Sequence, residues 1–321
     1  MATSLQKEPV LVTGATGLIG ANLIQRLLNE GATVRATLHR KGPVIYDPRV
    51  EYVRADLTSA QDCRRAVAGQ RFIFMAAANS SGAAAISATP MVHVTSNVIM
   101  NALMLEAAYD AGVEKFLWLS STTSYPDAGP RPLREEEMFD GDPYDKYFFV
   151  GWMKRFTEVL CQMYGERLSR TMTTIVLRPT NVYGPYDDFQ FETSHVAPAL
   201  IRKVAEGWNP LEVWGTGDDV RDLLYVDDMV EAMLLALRHI NGHAAFNIGL
   251  GKGYSVKQLL GFLLQLAGYQ PEIVFAPEKP TMIPIRLVDT TKARDALRFT
   301  AQVDLPEGLE RTLRWYRDHG A

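Results

Sequence analysis

Three glycines, Gly14, Gly17 and Gly20, stand between a short apolar segment and a helical pattern near the start of the chain. The apolar segment is Val10-Leu11-Val12, and the pattern over residues 18–30 repeats its apolar residues every three or four positions. Glycine permits a tight turn and lets backbone N–H groups approach an anion at the positive end of a helix. The arrangement predicts a strand–turn–helix unit that cradles a pyrophosphate, and a purely structural glycine turn is the alternative.

Short β-type runs alternate with longer helical patterns through the first half of the chain, and the strands are apolar throughout. This alternation predicts an α/β fold, a Rossmann-type doubly wound parallel sheet with helices on both faces. Beyond Arg178-Pro179 the elements become shorter and turn-rich, which indicates a smaller C-terminal lobe. We expect a dinucleotide-binding domain over 1–179, with 219–248 returning to it, and a substrate-binding lobe over 180–218 and 249–321.

Composition excludes several classes of protein. The net charge of -4 gives no basic surface of the kind that nucleic acids require. Cys63 and Cys161 are the only cysteines, and their spacing fits neither a disulfide framework nor a metal site. The N-terminal segment lacks the apolar stretch of a signal peptide, and no run approaches the roughly 20 apolar residues of a membrane span. We expect a cytoplasmic protein with no metal, no nucleic-acid partner and no membrane partner.

The tip of the second strand bears on the choice of dinucleotide. An acid there favours NAD and a base favours NADP, but the tip reads Ala36-Thr37-Leu38-His39-Arg40. Arg40 could meet a 2′-phosphate or be an ordinary solvated arginine, so the residues alone leave NAD and NADP open. Asp56 could face the adenine or be a plain turn residue. The expected cofactor contacts are Gly14, Gly17, Leu18, Ile19, His39, Arg40, Asp56, Leu57, Ala76, Ala77 and Lys154.

Several further motifs follow in a fixed order along the chain. They are Ala76-Ala77-Ala78, Asn97, Leu119-Ser120-Ser121-Thr122, Arg178-Pro179-Thr180-Asn181-Val182-Tyr183-Gly184-Pro185, the segment 213–222 and Tyr225-Val226-Asp227-Asp228. With them the sequence resembles the extended short-chain dehydrogenase/reductases, in the nucleotide-sugar epimerase and dehydratase branch. The resemblance implies that bound NAD takes a hydride from a UDP-sugar and returns it. It also implies a homodimer, since many relatives pair the helices at 94–111 and 144–166 into a four-helix bundle.

Within that branch the active-site segments most resemble the UDP-N-acetylglucosamine 5,6-dehydratase of tunicamycin biosynthesis. The resemblance implies oxidation at C4, which makes the C5 hydrogen acidic, followed by loss of the C6 hydroxyl and return of the hydride. Whether the hydride returns to C4 or to C6 stays open. A UDP-hexose 4-epimerase is one alternative, and a non-catalytic NAD(P)-sensing protein is another.

The expected catalytic motif, Tyr-x-x-x-Lys, is incomplete. Lys154 matches the family lysine, but Val150 stands where the tyrosine belongs. Tyr147 would share a helical face with both if the helix already runs at residue 147, and Pro143 favours such an early start because proline suits a first helical turn. Tyr147 is therefore a candidate for the missing hydroxyl, and the alternative is an aromatic residue packed in a helix interface.

The resemblance assigns Ser121 to the reacting sugar oxygen. Thr122 and Thr123 occupy the places of the Asp-Glu pair that ordinary 4,6-dehydratases use as acid and base, and a hydroxyl is a poor base near neutral pH. A standard 4,6-dehydratase is therefore disfavoured. Lys154 is then available for another proton transfer, or it serves only as a ligand of the cofactor ribose.

Four residues are expected to bind the nucleotide sugar. By family correspondence Asn181 contacts a diphosphate or sugar oxygen, and the forked donors of Arg221 and Arg286 clamp the diphosphate. Either arginine could instead form a surface ion pair. Val213 lines the base pocket or simply belongs to a strand core. His195 precedes a helix and is not assigned a catalytic role, because a lone histidine there is more often structural.

Overall fold

The computed structural model describes residues 5–80 and 89–320. The strands of this part of the chain are β1 (Pro9–Thr13), β2 (Thr33–Leu38), β3 (Val50–Arg54), β4 (Phe72–Met75), β5 (Lys115–Leu119), β6 (Thr173–Pro179), β7 (Asn181–Tyr183), β8 (Leu211–Trp214), β9 (Val220–Tyr225), β10 (His243–Ile248), β11 (Gly253–Ser255), β12 (Ile273–Ala276) and β13 (Ile285–Arg286). The α-helices are α1 (Leu18–Asn29), α2 (Ala60–Val67), α3 (Thr95–Asp110), α4 (Phe148–Glu166), α5 (Val196–Ala205), α6 (Val226–His239), α7 (Val256–Ala267), α8 (Thr291–Leu297) and α9 (Leu305–His319). Among these helices, none combines the length and the apolar character needed to cross a membrane.

Seven strands form one sheet in the order β10-β6-β5-β4-β1-β2-β3. Each neighbouring pair runs parallel; Val10 of β1, for example, lies opposite Val34 of β2 and opposite Phe72 of β4. The strand order reverses between β1 and β4, and in open parallel sheets ligands bind beyond the carboxyl ends of the strands at such a switch point. The predicted α/β fold of the Rossmann type is confirmed.

Helices cover both faces of this sheet. Val10 and Val12 of β1 enter a large core with Leu23 of α1, whereas Leu11 enters a second core with Met104 of α3. Successive side chains of a strand point to opposite faces, so this division places one core on each side of the sheet. The uniformly apolar strands follow from that double burial.

The remaining strands form two smaller sheets. In one of them, β9 pairs antiparallel with β11 and parallel with both β13 and β7; in the other, β8 pairs with β12. The segment 219–248, predicted to return to the first domain, is divided: β10 joins the large sheet, but β9 belongs to a smaller one. The backbone of β9 is paired with β7, β11 and β13. The other domain boundaries remain a proposal.

The end of α1 agrees with the sequence pattern, and the start of α4 does not. Gly31, at φ +75°, follows the last turn of α1, in the left-handed conformation that glycine adopts without a steric penalty. The predicted start of α4 at residue 144 is wrong, because a 3₁₀ turn over Asp145–Tyr147 precedes the helix. Pro143 does not open the helix. It packs against Gly151, where a Cβ atom would lie 2.5 Å from that of the proline.

Candidate active site

The glycine loop forms a tight cradle between β1 and α1. A Cβ atom on Gly14 would lie 2.9 Å from the carbonyl oxygen of Ala76, and one on Gly20 would lie 2.1 Å from the carbonyl oxygen of Gly14. Backbone atoms cannot yield at such distances, so both positions require glycine. We call residues 14–20 the glycine cradle.

The cradle opens on the positive end of α1. Gly17 is the N-cap and provides no capping side chain, and the first turn contains no acidic residue. The first N–H groups of the helix, including those of Leu18 and Ile19, therefore remain available for a phosphate group. These features fit the pyrophosphate of a dinucleotide.

The tips of β2 and β3 bring three predicted cofactor residues together. His39 and Arg40 are exposed, and both contribute to lowering the pKa of Asp56. The larger contribution to that lowered pKa comes from Thr58, whose hydroxyl donates a 2.7 Å hydrogen bond to the Asp56 carboxylate. Leu57 differs from expectation, since its side chain is buried in the core and only its backbone could meet a cofactor.

The segment that leaves β4 is held in place by buried polar groups. The N–H of Ala77 donates to the hydroxyl of Thr13 at 3.0 Å. Asn97 of α3 accepts a 2.8 Å bond from the N–H of Asn79 and donates a 2.9 Å bond to its carbonyl oxygen. The Asn97 side chain thus fixes the backbone beyond β4 at the edge where the cradle lies.

The end of β5 carries the predicted hydroxyl groups. Ser121 accepts a 3.1 Å bond from the N–H of Thr123 and so caps a short 3₁₀ turn. Thr122 is buried, and the hydroxyl oxygen of Thr123 has no hydrogen-bond partner within residues 5–80 and 89–320. A Cβ atom on Gly151 would lie 2.7 Å from the carbonyl oxygen of Thr123, so glycine at this position lets α4 approach the turn.

Lys154 of α4 reaches the same place. Its ammonium group donates a 2.9 Å bond to the carbonyl oxygen of Leu119 and lies 4.7 Å from the centre of the Trp118 ring. Burial lowers the pKa of Lys154 to about 8, against the opposing charge of Glu158. The amine is therefore partly neutral near physiological pH and lies beside the strand end that leads into Ser121.

Tyr147 is placed elsewhere. It is the N-cap of α4, so the condition for a helical face shared with Val150 and Lys154 is not met. Burial raises the pKa of Tyr147, while the charges of Arg221 and Arg286 lower it. The charges that act on the Tyr147 hydroxyl therefore differ from those at Lys154, whose pKa responds to burial and to Glu158.

Arg221 and Arg286 lie opposite each other on β9 and β13, and both side chains are buried. Arg221 donates to the carbonyl oxygen of Pro284 at 3.1 Å and pairs with Asp219 at 3.1 Å. Arg286 donates to the carbonyl oxygen of Pro126 at 2.8 Å, and its buried Nε atom has no partner in the described part of the chain. This arginine pair therefore has one ion-paired carboxylate for two guanidinium groups, which is the setting of an anion site.

The other two predicted substrate residues differ in their surroundings. Asn181 is half-buried and donates a 3.2 Å bond to the carbonyl oxygen of Asp222. Val213 is only 2% exposed and belongs to the hydrophobic core, so the strand-core alternative describes its side chain. Trp214, which points to the other face of β8, is 37% exposed.

A buried network beneath the site was missed by sequence reasoning. Arg178 forms a bidentate ion pair with Glu158 and donates a 2.6 Å bond to the hydroxyl of Tyr125, which in turn donates to the side chain of Asn247. Glu158 also accepts a bond from Ser120. The one signal in the sequence was that Glu158 stands one helical turn after Lys154. This spacing does not identify Arg178 or Ser120 as the partners of Glu158.

Two further titratable groups lie on the loop between β7 and α5. His195 is solvent-accessible, but the surrounding protein lowers its pKa, so the ring is neutral at neutral pH; the nearby charge of His93 acts in the same direction. His93 itself contacts the carbonyl oxygen of Asn79 at 2.9 Å. Burial raises the pKa of Asp187 to about 7. Within the described ranges, no group of His, Cys, Asp and Glu forms a metal-binding cluster.

The glycine cradle at the switch point of a seven-stranded parallel sheet, with a buried amine at the end of β5, is typical of a Rossmann dinucleotide-binding enzyme. Known proteins agree with this class. The family model named NAD dependent epimerase/dehydratase family matches residues 10–249. The chain belongs to that family, and its cofactor is NAD.

The relatives of this chain within the family carry names of several different activities. The chain is 30% identical over 296 residues to GDP-L-fucose synthase of Sinorhizobium fredii, which covers 90% of this chain and 89% of that protein. It is 29% identical over 322 residues to dTDP-4-dehydro-6-deoxy-D-allose reductase of a Streptomyces species, with coverage of 97% and 96%.

Solved structures give the same fold. UDP-glucose 4-epimerase of Thermotoga maritima, solved with UDP-glucose, has a TM-score of 0.87 at 28% identity, covering 98% of this chain and 100% of that one. UDP-glucuronic acid 4-epimerase of Bacillus cereus, solved with UDP-glucuronic acid and NAD, has a TM-score of 0.84 at 25% identity, covering 97% and 99%.

Proposed function

We propose that the chain is a nucleotide-sugar dehydratase that acts on UDP-N-acetylglucosamine through transient oxidation at C4. The observation that carries the proposal is the position of Lys154, whose amine lies at the end of β5 with a pKa lowered to about 8. A phenol is missing four residues earlier, and Tyr147 precedes the helix that carries Lys154. Lys154 is therefore the group that takes the proton of the C4 hydroxyl.

The residues divide the work as follows. The glycine cradle would hold NAD. When bound, NAD would accept the C4 hydrogen as a hydride and later give it back. Ser121 follows, two residues on, the Leu119 carbonyl that Lys154 contacts, and would hydrogen-bond the C4 oxygen while Lys154 removes its proton. Arg221 and Arg286 would bind the diphosphate. Oxidation at C4 then makes the hydrogen on C5 acidic, so the remaining requirements are a base for C5 and an acid for the C6 oxygen.

We assign these two roles to His195 and Asp187, the titratable groups on the loop between β7 and α5 whose pKa values are shifted. The neutral ring of His195 can accept the C5 proton, and Asp187, with a pKa of about 7, retains a proton that it can give to the departing C6 oxygen. The C6 oxygen then leaves as water. Lys154 would then return its proton to the C4 oxygen, and the product would be a 5,6-alkene with no net redox change.

A second candidate is an epimerase acting beside a transient or pre-existing keto group. The same base, His195, would remove and return a proton at a carbon next to the ketone. The similarity to GDP-L-fucose synthase supports this candidate. An epimerase has no leaving group to protonate. Asp187 is therefore required by the dehydratase and not by the epimerase.

Proton NMR in deuterated water tests the proposal. Purified protein is incubated with NAD and UDP-N-acetylglucosamine, and with UDP-glucose and GDP-sugars in parallel. Loss of the H5 signal together with new alkene signals is expected for the dehydratase. Deuterium incorporation without alkene signals indicates an epimerase, inversion at C4 indicates a 4-epimerase, and unchanged spectra with every sugar indicate a non-catalytic binding protein; each of these outcomes overturns the proposal.

Two variants assign the roles within the same assay. Lys154→Met keeps the apolar stem and should stop every change at the sugar, because C4 oxidation comes first. His195→Asn should leave oxidation at C4, seen as absorbance of reduced NAD at 340 nm, and should block deuterium exchange at C5. Exchange that persists in His195→Asn excludes His195 as the base.

We also propose a homodimer built on α3 and α4, as the family resemblance implies. The two helices pack together within the chain, and the outer face of α4 exposes large apolar side chains. A row of such residues on one helix favours a protein partner over water. The exposed side chains are Phe149, Trp152, Phe156 and Met163.

A further inference from the structure

The side chains of Lys154 and Glu158 hold two consecutive residues at the end of β5. Glu158 stands one helical turn after Lys154, so both side chains leave the same face of α4. Lys154 donates to the carbonyl oxygen of Leu119 at 2.9 Å, and the Glu158 carboxylate accepts a bond from the hydroxyl of Ser120. These two contacts fix the helix against the strand end directly before Ser121.

The charge of Glu158 is already matched by Arg178 of β6. Arg178 donates to both carboxylate oxygens, at 3.0 Å from Nε and at 2.6 Å from Nη2, and the two side chains are only 4% and 5% exposed. Opposite charges held this closely largely cancel at a group one helical turn away. Within the described residues, Lys154 has no ion-pair partner of its own; its contacts are the Leu119 carbonyl oxygen and the Trp118 ring.

The ion pair is the main charged feature near the amine. In the part of the chain that the structure describes, burial and the charge of Glu158 are the influences that shift the pKa of Lys154. Other titratable groups respond to one or both members of the pair, and burial opposes the charged form of each. They are Tyr125, Glu135, Arg155, Cys161 and His243. The phenol, the thiol and the imidazole among them are therefore neutral near pH 8.

We infer that the ion pair of Arg178 and Glu158 positions Lys154 for proton transfer: it fixes the amine at the end of β5 and withholds the counter-charge that would favour the ammonium form. In the family motif the lysine can act as a cation beside a phenol, but Val150 leaves this lysine to accept the proton itself. Arg178 and Glu158 act through Lys154 and are positioning residues. The inference rests on the proposed function for the role of Lys154 as the base.

NMR titration of lysine side chains tests the inference without substrate. The full-length, NAD-bound protein is labelled with ¹³C at lysine Cε, and Lys154→Met identifies the signal of Lys154. In Glu158→Gln the amide oxygen can still accept from Ser120, but Arg178 loses its counter-ion, so we expect the pKa of Lys154 to fall by about one pH unit. In Arg178→Gln the Glu158 charge is left unmatched, and the pKa of Lys154 should rise by about as much.

Two further variants are the controls. Glu158→Gln combined with Arg178→Gln removes both charges and should bring the pKa of Lys154 back near its value in the unmodified protein. This double variant leaves no unpaired buried charge, so it and Glu158→Gln decide the matter if Arg178→Gln does not fold. Glu166→Gln makes the same change about 18 Å further along α4 and should leave the Lys154 signal unchanged. An unmoved pKa of Lys154, or shifts in the same direction in both single variants, would overturn the inference.

Kinetics gives a second measurement. The rise of kcat/KM with pH should end about one pH unit lower in Glu158→Gln and about one pH unit higher in Arg178→Gln. Loss of activity in both variants with an unmoved pH profile would make the pair merely structural and overturn the inference. Opposite shifts of the Lys154 pKa in a protein that converts no nucleotide sugar would uphold the control of the amine by the ion pair while the proposed function fails.

Discussion

At the scale of single residues, the exchange of a tyrosine for Val150 changes what Lys154 has to do. In the family motif the lysine lowers the pKa of a phenol, and here that phenol is missing. The protein instead buries the amine against Trp118 and lowers the pKa of the lysine itself to about 8. One side chain can then remove the hydroxyl proton that two residues usually handle between them.

The first prediction concerns pH. The proton-accepting form of Lys154 is the neutral amine, which dominates above its pKa of about 8 and disappears below it. We expect kcat/KM to rise about tenfold per pH unit between pH 6 and pH 8 and then to level off. Lys154→Arg, which stays protonated, should lose this dependence and about 100-fold in kcat/KM. A profile that is flat from pH 6 to pH 9 in the unmodified enzyme would exclude the amine as the base.

At the scale of elements, the three glycines of the cradle have different physical tasks. Gly14 and Gly20 lie so near backbone atoms that a Cβ atom could not be accommodated. Gly17 has an ordinary φ of -96°, and a Cβ atom there would come no nearer than 3.7 Å to the atoms around it. Gly14 and Gly20 are therefore needed by the fold, and Gly17 would allow the close approach of the ligand.

A comparison of two alanine variants follows from this difference. Gly20→Ala should destabilise the protein even without NAD, by about 2 kcal/mol and roughly 5 °C in melting temperature, because overpacked backbone cannot relax. Gly17→Ala should change the stability of the ligand-free protein by less than about 1 kcal/mol. Both should weaken NAD binding about tenfold or more. Thermal unfolding with and without NAD measures both effects; equal melting temperatures for the two ligand-free variants would contradict the assignment.

At the scale of the whole molecule, buried polar contacts join the two sheets around the active site. Arg178 of β6 links α4 to Tyr125, and Tyr125 bonds Asn247 of β10. Arg286 of the smaller sheet donates to the carbonyl oxygens of Tyr125 and Pro126. The loop after β5 is thereby held by the large sheet on one side and by Arg286 of the smaller sheet on the other.

The proposed dimer makes a prediction at this scale. Phe156 is 49% exposed in the single chain and lies on the outer face of α4. Phe156→Glu would place a charge in the four-helix interface and should convert a dimer of about 72 kDa, twice the 35.8 kDa chain, into monomers in light scattering after gel filtration. Tyr46→Glu, a change at an 85% exposed aromatic residue outside these helices, is the control and should leave the mass unchanged. A monomeric unmodified protein would refute the dimer.

Sequence patterns predicted the parts of this molecule that depend on neighbouring residues. The glycine cradle, the alternating strands and helices and the end of α1 at Gly31 follow from residues a few positions apart. The sequence could not predict whether Val213 lies in the core or in a pocket. The side of a strand that is buried depends on what packs against it. The start of α4 was also missed, since Pro143 packs against Gly151 one turn inside the helix.

The sequence by itself determined the sheet class, the cradle and the lysine, because turn geometry, hydrophobic periodicity and motif spacing are local properties of a chain. Tertiary structure decided that Tyr147 precedes α4, and it brought Arg286 of β13, far along the chain, opposite Arg221. Tertiary structure also lowered the pKa of Lys154, because the groups that bury its amine, Trp118 among them, come from different elements. Contacts between distant segments are fixed only when the whole core packs, and no spacing in the sequence encodes them.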